Sequence, residues 1–203
     1  MTARGEGRRE KILQVAEATI LEKGFTGTSI EDILQKAHIT KGGFFYHFSG
    51  KAELAKSLVE RYLETDDVFF NSLSERARSL SEDPLQQMLL FLNLMAEAME
   101  RLEDVHPGCL VASFTYESHQ LDDDVKSLMA EGTLRWRTLF RQQLELIGEH
   151  YQARLDVSLD ELADMLSGII EGGIILSRVL SDKMVLVQQL RQYRNYIKLL
   201  FPG

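Results

Sequence analysis

The chain has 203 residues, 44% of them apolar and 27% charged, which suits one large or two small globular domains and excludes wholesale disorder. The net charge of −8 argues against a nucleic-acid binder, but residues 1–51 carry 8 Lys/Arg against 6 Asp/Glu, while the remainder carries 15 against 25; a small basic head on an acidic body can still meet phosphate. A single cysteine, Cys109, excludes an internal disulfide and a multi-cysteine zinc site, the longest apolar run (Met88–Leu92) is too short for a bilayer, and the basic N-terminus lacks the apolar stretch of a signal peptide.

In chain order the pattern is helical throughout. Apolar groups at Ile12, Val15, Ala16, Thr19 and Ile20 predict a helix over 8–23, closed by Gly24, with Phe25 folding back onto a core. Thr28 and Glu31 read as a capping box opening a second helix, whose Ile30, Ile33, Leu34 and Ala37 form one stripe. Thr40 reads as the N-cap of a short helix running to about Phe48; Lys51 then opens a long one through Leu54, Leu58, Tyr62 and Phe69. Further helices are expected near 84–103, 108–120, 122–150, 158–181 and 183–201, separated by cap or breaker residues.

Two short helices a few residues apart, about 29–37 and 40–48, suit a helix-turn-helix whose second helix enters the DNA major groove. Gly42 and Gly43 break helix propensity in its first turn. Glycine there lets backbone N–H groups approach an anion closely; the alternative is a plain turn before Phe44. Phe44 and Phe48, four apart, anchor the helix inward and leave Lys41, Gly42, Tyr46 and His47 outward. The DNA-contact candidates are Thr28, Thr40, Lys41, Gly42, Gly43, Tyr46, His47 and Lys51.

The run Ile33-Leu34-Gln35-Lys36-Ala37-His38-Ile39-Thr40-Lys41-Gly42-Gly43-Phe44-Phe45-Tyr46-His47-Phe48-Ser49-Gly50-Lys51-Ala52-Glu53-Leu54 resembles the signature of TetR-family transcriptional regulators. The resemblance covers about residues 8–55. It implies an all-α fold: a three-helix helix-turn-helix domain over 1–51, then a larger helical ligand-binding and dimerisation domain over 52–203. It also implies a homodimer on a palindromic operator in double-stranded DNA, released by a small-molecule inducer. By the same resemblance Lys41, Gly42, Tyr46 and His47 fall on DNA-contacting positions, and Lys51 on a phosphate-binding lysine. Two residues depart from the pattern. Phe45 stands where the family usually has tyrosine, and His38 where it has a turn glycine, so His38 must adopt an uncommon backbone geometry or reshape the turn.

In the C-terminal part, Leu159, Leu162, Ala163, Leu166, Ile169, Ile170 and Ile174 mark one strongly apolar helix, and Val185, Leu190, Tyr193, Ile197, Leu200 and Phe201 another. Gly168, Gly172 and Gly173 allow close approach of another backbone. Two such helices per subunit suit a four-helix dimer interface, or alternatively an ordinary core. Phe91, Met95, Met99, Phe114, Met129, Trp136 and Phe140 are candidates for an apolar pocket, each equally a core residue, with Glu117 as a polar contact or a helix-end partner. Cys109, near a helix start, is a candidate for oxidants or electrophiles or a small core residue.

These features predict a ligand-responsive DNA-binding regulator, most simply a repressor, in the cytoplasm, with no membrane partner, cofactor, metal or catalytic residue. The alternatives are an enzyme using the helical cavity, and a helical dimer that acts through protein partners without DNA. No Ser/His/Asp set, metal-ligand spacing or phosphate loop supports the enzyme; only Phe45 and His38 support the second.

Overall fold

The computed structural model describes residues 3–202, and their regular structure is helical. Among them are nine α-helices: α1 (Ala3–Lys23), α2 (Ile30–Ala37), α3 (Lys41–Phe45), α4 (Lys51–Leu80), α5 (Pro84–Glu100), α6 (Leu110–Tyr116), α7 (Asp123–Gly148), α8 (Leu159–Leu180) and α9 (Met184–Leu200). A 3-10 turn, Ser118–Gln120, follows α6 and divides the helix expected over 108–120. No helix among the described residues is long and apolar enough to cross a membrane.

Local chemistry explains the ends. Gly24 stops α1 at φ +81°, its N–H donating to the Ile20 carbonyl. The capping box sits one residue later than expected: Ser29 is the N-cap, its hydroxyl accepting from the Asp32 N–H at 3.1 Å, while the Asp32 carboxylate accepts from the Ser29 N–H at 2.9 Å. Thr28 is displaced from that task because its own hydroxyl donates to the Gly24 carbonyl at 2.8 Å, inside the protein. Thr40 caps α3 as expected, accepting from the Gly43 N–H at 3.1 Å. The helix ends at Phe45 rather than Phe48, because Tyr46 and His47 turn the chain while Phe48 returns to the interior.

The chain divides into two compact units: residues up to Glu64 with Pro107–Glu131, and Thr65–His106 with Gly132 onwards. This differs from a cut at 51/52. The first half of α4 and a later segment containing α6 both belong with the N-terminal helices.

In the first unit Ile12, Leu13, Ala16 and Ile20 of α1 are buried, as are Ile33, Ala37, Phe44, Phe48, Leu54 and Leu58, and α1 packs on α2. The Arg61 guanidinium joins α4 to α1 by bonding the Glu10 and Glu17 carboxylates. In the second unit α5, α8 and α9 share a core of leucines, methionines and aromatic rings. Gly173 is a contact glycine: a Cβ there would lie 2.7 Å from Leu186 Cδ1 and 3.2 Å from its Cα, so α8 and α9 cross closely. The buried Tyr193 hydroxyl donates to the Leu162 carbonyl at 2.8 Å, and the Ser177 hydroxyl accepts from the Leu186 N–H at 3.0 Å. The buried Tyr193 and Ser177 hydroxyls are thus both paired with backbone.

Candidate nucleic-acid interface

The geometry around α3 follows from which rings go inward. Phe44 and Phe48 are fully buried, with centroids 5.5 Å apart. A five-residue helix anchored on that side must present its other side to solvent. Thr40, Lys41, Gly42, Phe45 and Tyr46 are exposed, Tyr46 at 76%. His47 is half-buried and meets the Tyr46 ring edge-on at 4.9 Å, while the Lys41 ammonium lies 6.0 Å from the Phe45 ring centroid. A Cβ on Gly42 would meet nothing within 4 Å, so its open backbone faces solvent. At Gly43 a Cβ would lie 3.3 Å from the Thr40 hydroxyl oxygen, the atom that caps the helix. Thr40, Lys41, Gly42, Gly43, Tyr46 and His47 therefore lie together in one segment offering a cation, a phenol, an imidazole and unobstructed approach to the backbone at Gly42.

His38 adopts the uncommon geometry its position demands. It is left-handed at φ 56°, and its N–H donates back to the Gln35 carbonyl at 3.3 Å. The turn between α2 and α3 thus keeps its course without glycine, at the steric cost of a side chain in that region.

Two of the expected contact residues lie elsewhere. Thr28 is wholly buried and bonded within its own turn. Lys51 is half-buried; its ammonium donates to the Phe25 carbonyl and stands 4.2 Å from the Phe25 ring centroid. Burial pushes the Lys51 ammonium's pKa down, and the nearby Glu117 carboxylate partly opposes that shift.

Glu117 completes this arrangement. Its carboxylate accepts from the Phe25 N–H at 2.8 Å and the Thr26 N–H at 2.7 Å. Burial opposes its ionisation, but the Thr26 and Phe25 hydrogen bonds and the Lys51 charge outweigh it, holding the carboxyl below its ordinary range. Phe25 also meets Phe114 of α6 edge-on at 5.1 Å. The turn after α1 is therefore held by Lys51 on its carbonyl, Glu117 on its amides and Phe114 on its ring. Local sequence around Glu117 suits a ligand contact and a helix-end partner alike, because its actual partners lie more than ninety residues away.

The sensor candidates divide between the two units. Phe114, Glu117, Met129 and Cys109 lie in the first, where Cys109 caps α6, its sulfur accepting from the Ala112 N–H at 3.4 Å. Phe91, Met95, Met99, Trp136 and Phe140 lie in the second. There Phe70, Phe91 and Phe140 form a ring cluster with centroids 5.4 to 6.5 Å apart, and Trp136 meets Phe70 edge-on at 6.4 Å. Phe91 and Phe140 line a cavity; Met95 is buried in the core and Met99 packs on it. Among the described residues no group of three or more His, Cys, Asp or Glu side chains is placed to hold a metal ion.

Residues 12–58 match the family described as "Bacterial regulatory proteins, tetR family", and residues 84–193 match "Tetracyclin repressor-like, C-terminal domain". Over 175 residues the chain is 26% identical to the HTH-type transcriptional repressor DhaR of Mycobacterium sp. (strain GP1), covering 84% of this chain and 82% of that protein. It is 26% identical over 137 residues to the HTH-type transcriptional repressor NemR of Escherichia coli (strain K12), covering 68% and 67%. Its fold is similar to the crystal structure of regulatory protein TetR from Rhodobacter sphaeroides, with a TM-score of 0.74 and 24% identity over 92% of this chain and 97% of that one.

Proposed function

The chain belongs to the TetR family of bacterial DNA-binding transcriptional regulators, and from that premise we propose that it is a repressor that binds a palindromic operator as a homodimer and leaves it on binding a small molecule. The Thr40-to-His47 segment, with Thr40, Lys41, Gly42, Phe45 and Tyr46 exposed, carries the DNA reading. Lys41 and the open backbone at Gly42 meet phosphate, while Tyr46 and His47 reach towards the groove. Thr28 and Lys51 take the supporting task of holding the frame behind that surface. The reading surface lies within 1–51, and 52–203 supplies the sensing and dimerising parts.

A second copy is the partner for α8. Met165, Ile175, Leu176 and Val179 are exposed on this helix, and Gly168 and Gly172 lie open between them. That stripe recurs every three or four residues, the spacing of one helix face. Burying it against its symmetry mate covers apolar surface and brings two reading heads onto half-sites about 34–36 Å apart.

Release requires that the ligand prefer a conformation unfit for DNA. The turn held by Lys51, Glu117 and Phe114 is the place where α6 and the start of α4 bear on the frame of the reading surface. The deciding experiment is a gel shift with the DNA upstream of the protein's own gene, repeated across salt concentrations. A shift that tolerates unrelated competitor DNA supports the reading. Equal competition by unrelated DNA refutes it.

A further inference from the structure

The second unit holds a cavity of about 110 Å³ among α4, α5 and α7. Its apolar wall combines the buried Ala77, Met88, Phe91 and Phe140 with the half-buried Leu139 and the exposed Leu146. Three of its neutral polar side chains, Gln87, Gln143 and Ser74, are already engaged, and Gln142 is the fourth. The Gln87 amide donates to the Ser81 carbonyl at 2.9 Å, the Gln143 amide to the Pro84 carbonyl at 2.8 Å, and the Ser74 hydroxyl to the Phe70 carbonyl at 2.9 Å. Arg78 differs from them. It is the one charged side chain lining the cavity, it is exposed, and it takes part in no ion pair among the described residues. The acids nearest in sequence, Glu75 and Glu82, are exposed and do not line it. In a protein of net charge −8, a cavity with an arginine and no carboxylate is a departure.

We propose that this cavity binds a small lipophilic carboxylic acid, its carboxylate on Arg78 and its apolar part against Met88, Phe91 and Phe140. The inference rests on the sensor reading above and gives that sensor its ligand class. A guanidinium offers a planar fork of donors that matches a carboxylate in two parallel hydrogen bonds. An apolar cavity of roughly 150 Å³ takes up benzene, so this one, at about 110 Å³, takes no more than a single ring. An acid meets both halves of the site: the ring leaves water for the aromatic wall, and the charge stays at the mouth, where it is not stripped of solvent.

The test is calorimetric titration of the full chain with benzoate and with benzamide, its uncharged counterpart of nearly equal shape. Benzoate is expected to bind about tenfold tighter than benzamide, and Arg78→Gln to bring the two together. Since Arg78 is exposed, the variant retains its helical circular dichroism. The fluorescence of Trp136, the chain's one tryptophan, beside Phe70 in the same ring cluster, should change with benzoate. Equal affinities, no benzoate binding, or an undiminished preference in Arg78→Gln overturns the proposal. A parallel gel shift separates this site from the sensor reading. Benzoate that binds with Arg78-dependent preference yet leaves operator affinity unchanged supports the site and refutes its sensing role. Operator release by another compound, with no benzoate binding, overturns the site and leaves the sensor reading standing.

Discussion

Two lysines ten residues apart illustrate how position divides one chemistry into two tasks. Lys41 extends from an exposed helix start, whereas Lys51 spends its ammonium on the Phe25 carbonyl and ring. Lys41→Ala should shrink the slope of log affinity against log salt by about 0.9, the loss of one phosphate contact, and leave thermal stability unchanged. Lys51→Ala should leave that slope nearly unchanged and lower Tm by about 2–4 °C, as for about 1 kcal/mol in a chain of this size. Salt-dependent binding curves and a melting scan on both variants check this, and a full slope loss in Lys51→Ala would move it to the DNA surface. Glu117 carries a pH signature of its own. Its folded pKa lies below the ordinary 4.5, so its stabilisation is fully present above pH 4.5. It is lost as pH falls through the lower folded value. Glu117→Gln should lose about 1.5–3 kcal/mol near pH 7, the scale of hydrogen bonds to a charged group. The gap to wild type should narrow below pH 4.5 in urea titrations. A gap constant with pH would show that the charge is not what the turn uses.

At the scale of the element, helix ends are decided by competition for the same donors. Thr28 and Ser29 are both eligible caps, and the choice falls to Ser29 because Thr28's hydroxyl already serves the Gly24 carbonyl. His38 ends α2 in a left-handed conformation that costs a side chain about 1–2 kcal/mol. Replacing it by glycine removes that clash but loosens the unfolded chain, so the net gain should be about 0.5–1 kcal/mol. Chemical denaturation of His38→Gly measures it; a loss of stability would mean that the imidazole makes a compensating contact. The brevity of α3 has the same logic. Phe44 and Phe48 must both enter one core, and the chain turns at Tyr46 and His47 to bring the second ring in.

For the whole molecule the unexplained surface is the open stripe on α8. Val179 is 74% exposed and Leu176 45%. Val179→Arg should therefore leave the protomer folded and abolish the dimer, since an arginine buried there would have no partner. Sedimentation should show a monomer with unchanged helical content, and operator affinity should fall because one half-site discriminates poorly. A dimer that survives would place the interface elsewhere. The link between ligand and DNA obeys reciprocity. A coupling of about 1–3 kcal/mol would lower operator affinity roughly 5- to 150-fold, and operator would weaken ligand binding by the same factor. The helices α4 and α7 each contribute residues to both units, so any such coupling has a continuous backbone to act through.

Periodicity by itself determined the all-helical fold, because a buried helix face repeats every three to four residues whatever surrounds it. It also separated Phe44 and Phe48 from Lys41, Gly42 and Tyr46, since residues four apart share a face within one short helix. The departure at His38 was legible only through the family resemblance, which places a turn glycine there and left open a left-handed residue or a reshaped turn; the structure shows the left-handed residue. Tertiary structure decided the rest. Glu117 and Lys51 acquire their tasks from a turn that neither adjoins in sequence. Phe91 and Phe140 line a cavity while Met95 fills core, a distinction between equally apolar residues that only the neighbours can make. Arg78, one exposed arginine among many charged residues, gains its meaning from the apolar wall that α5 and α7 bring beside it. A hydrogen bond or a cavity is made by groups that meet in space, and spacing along one helix carries no record of which distant segment will arrive.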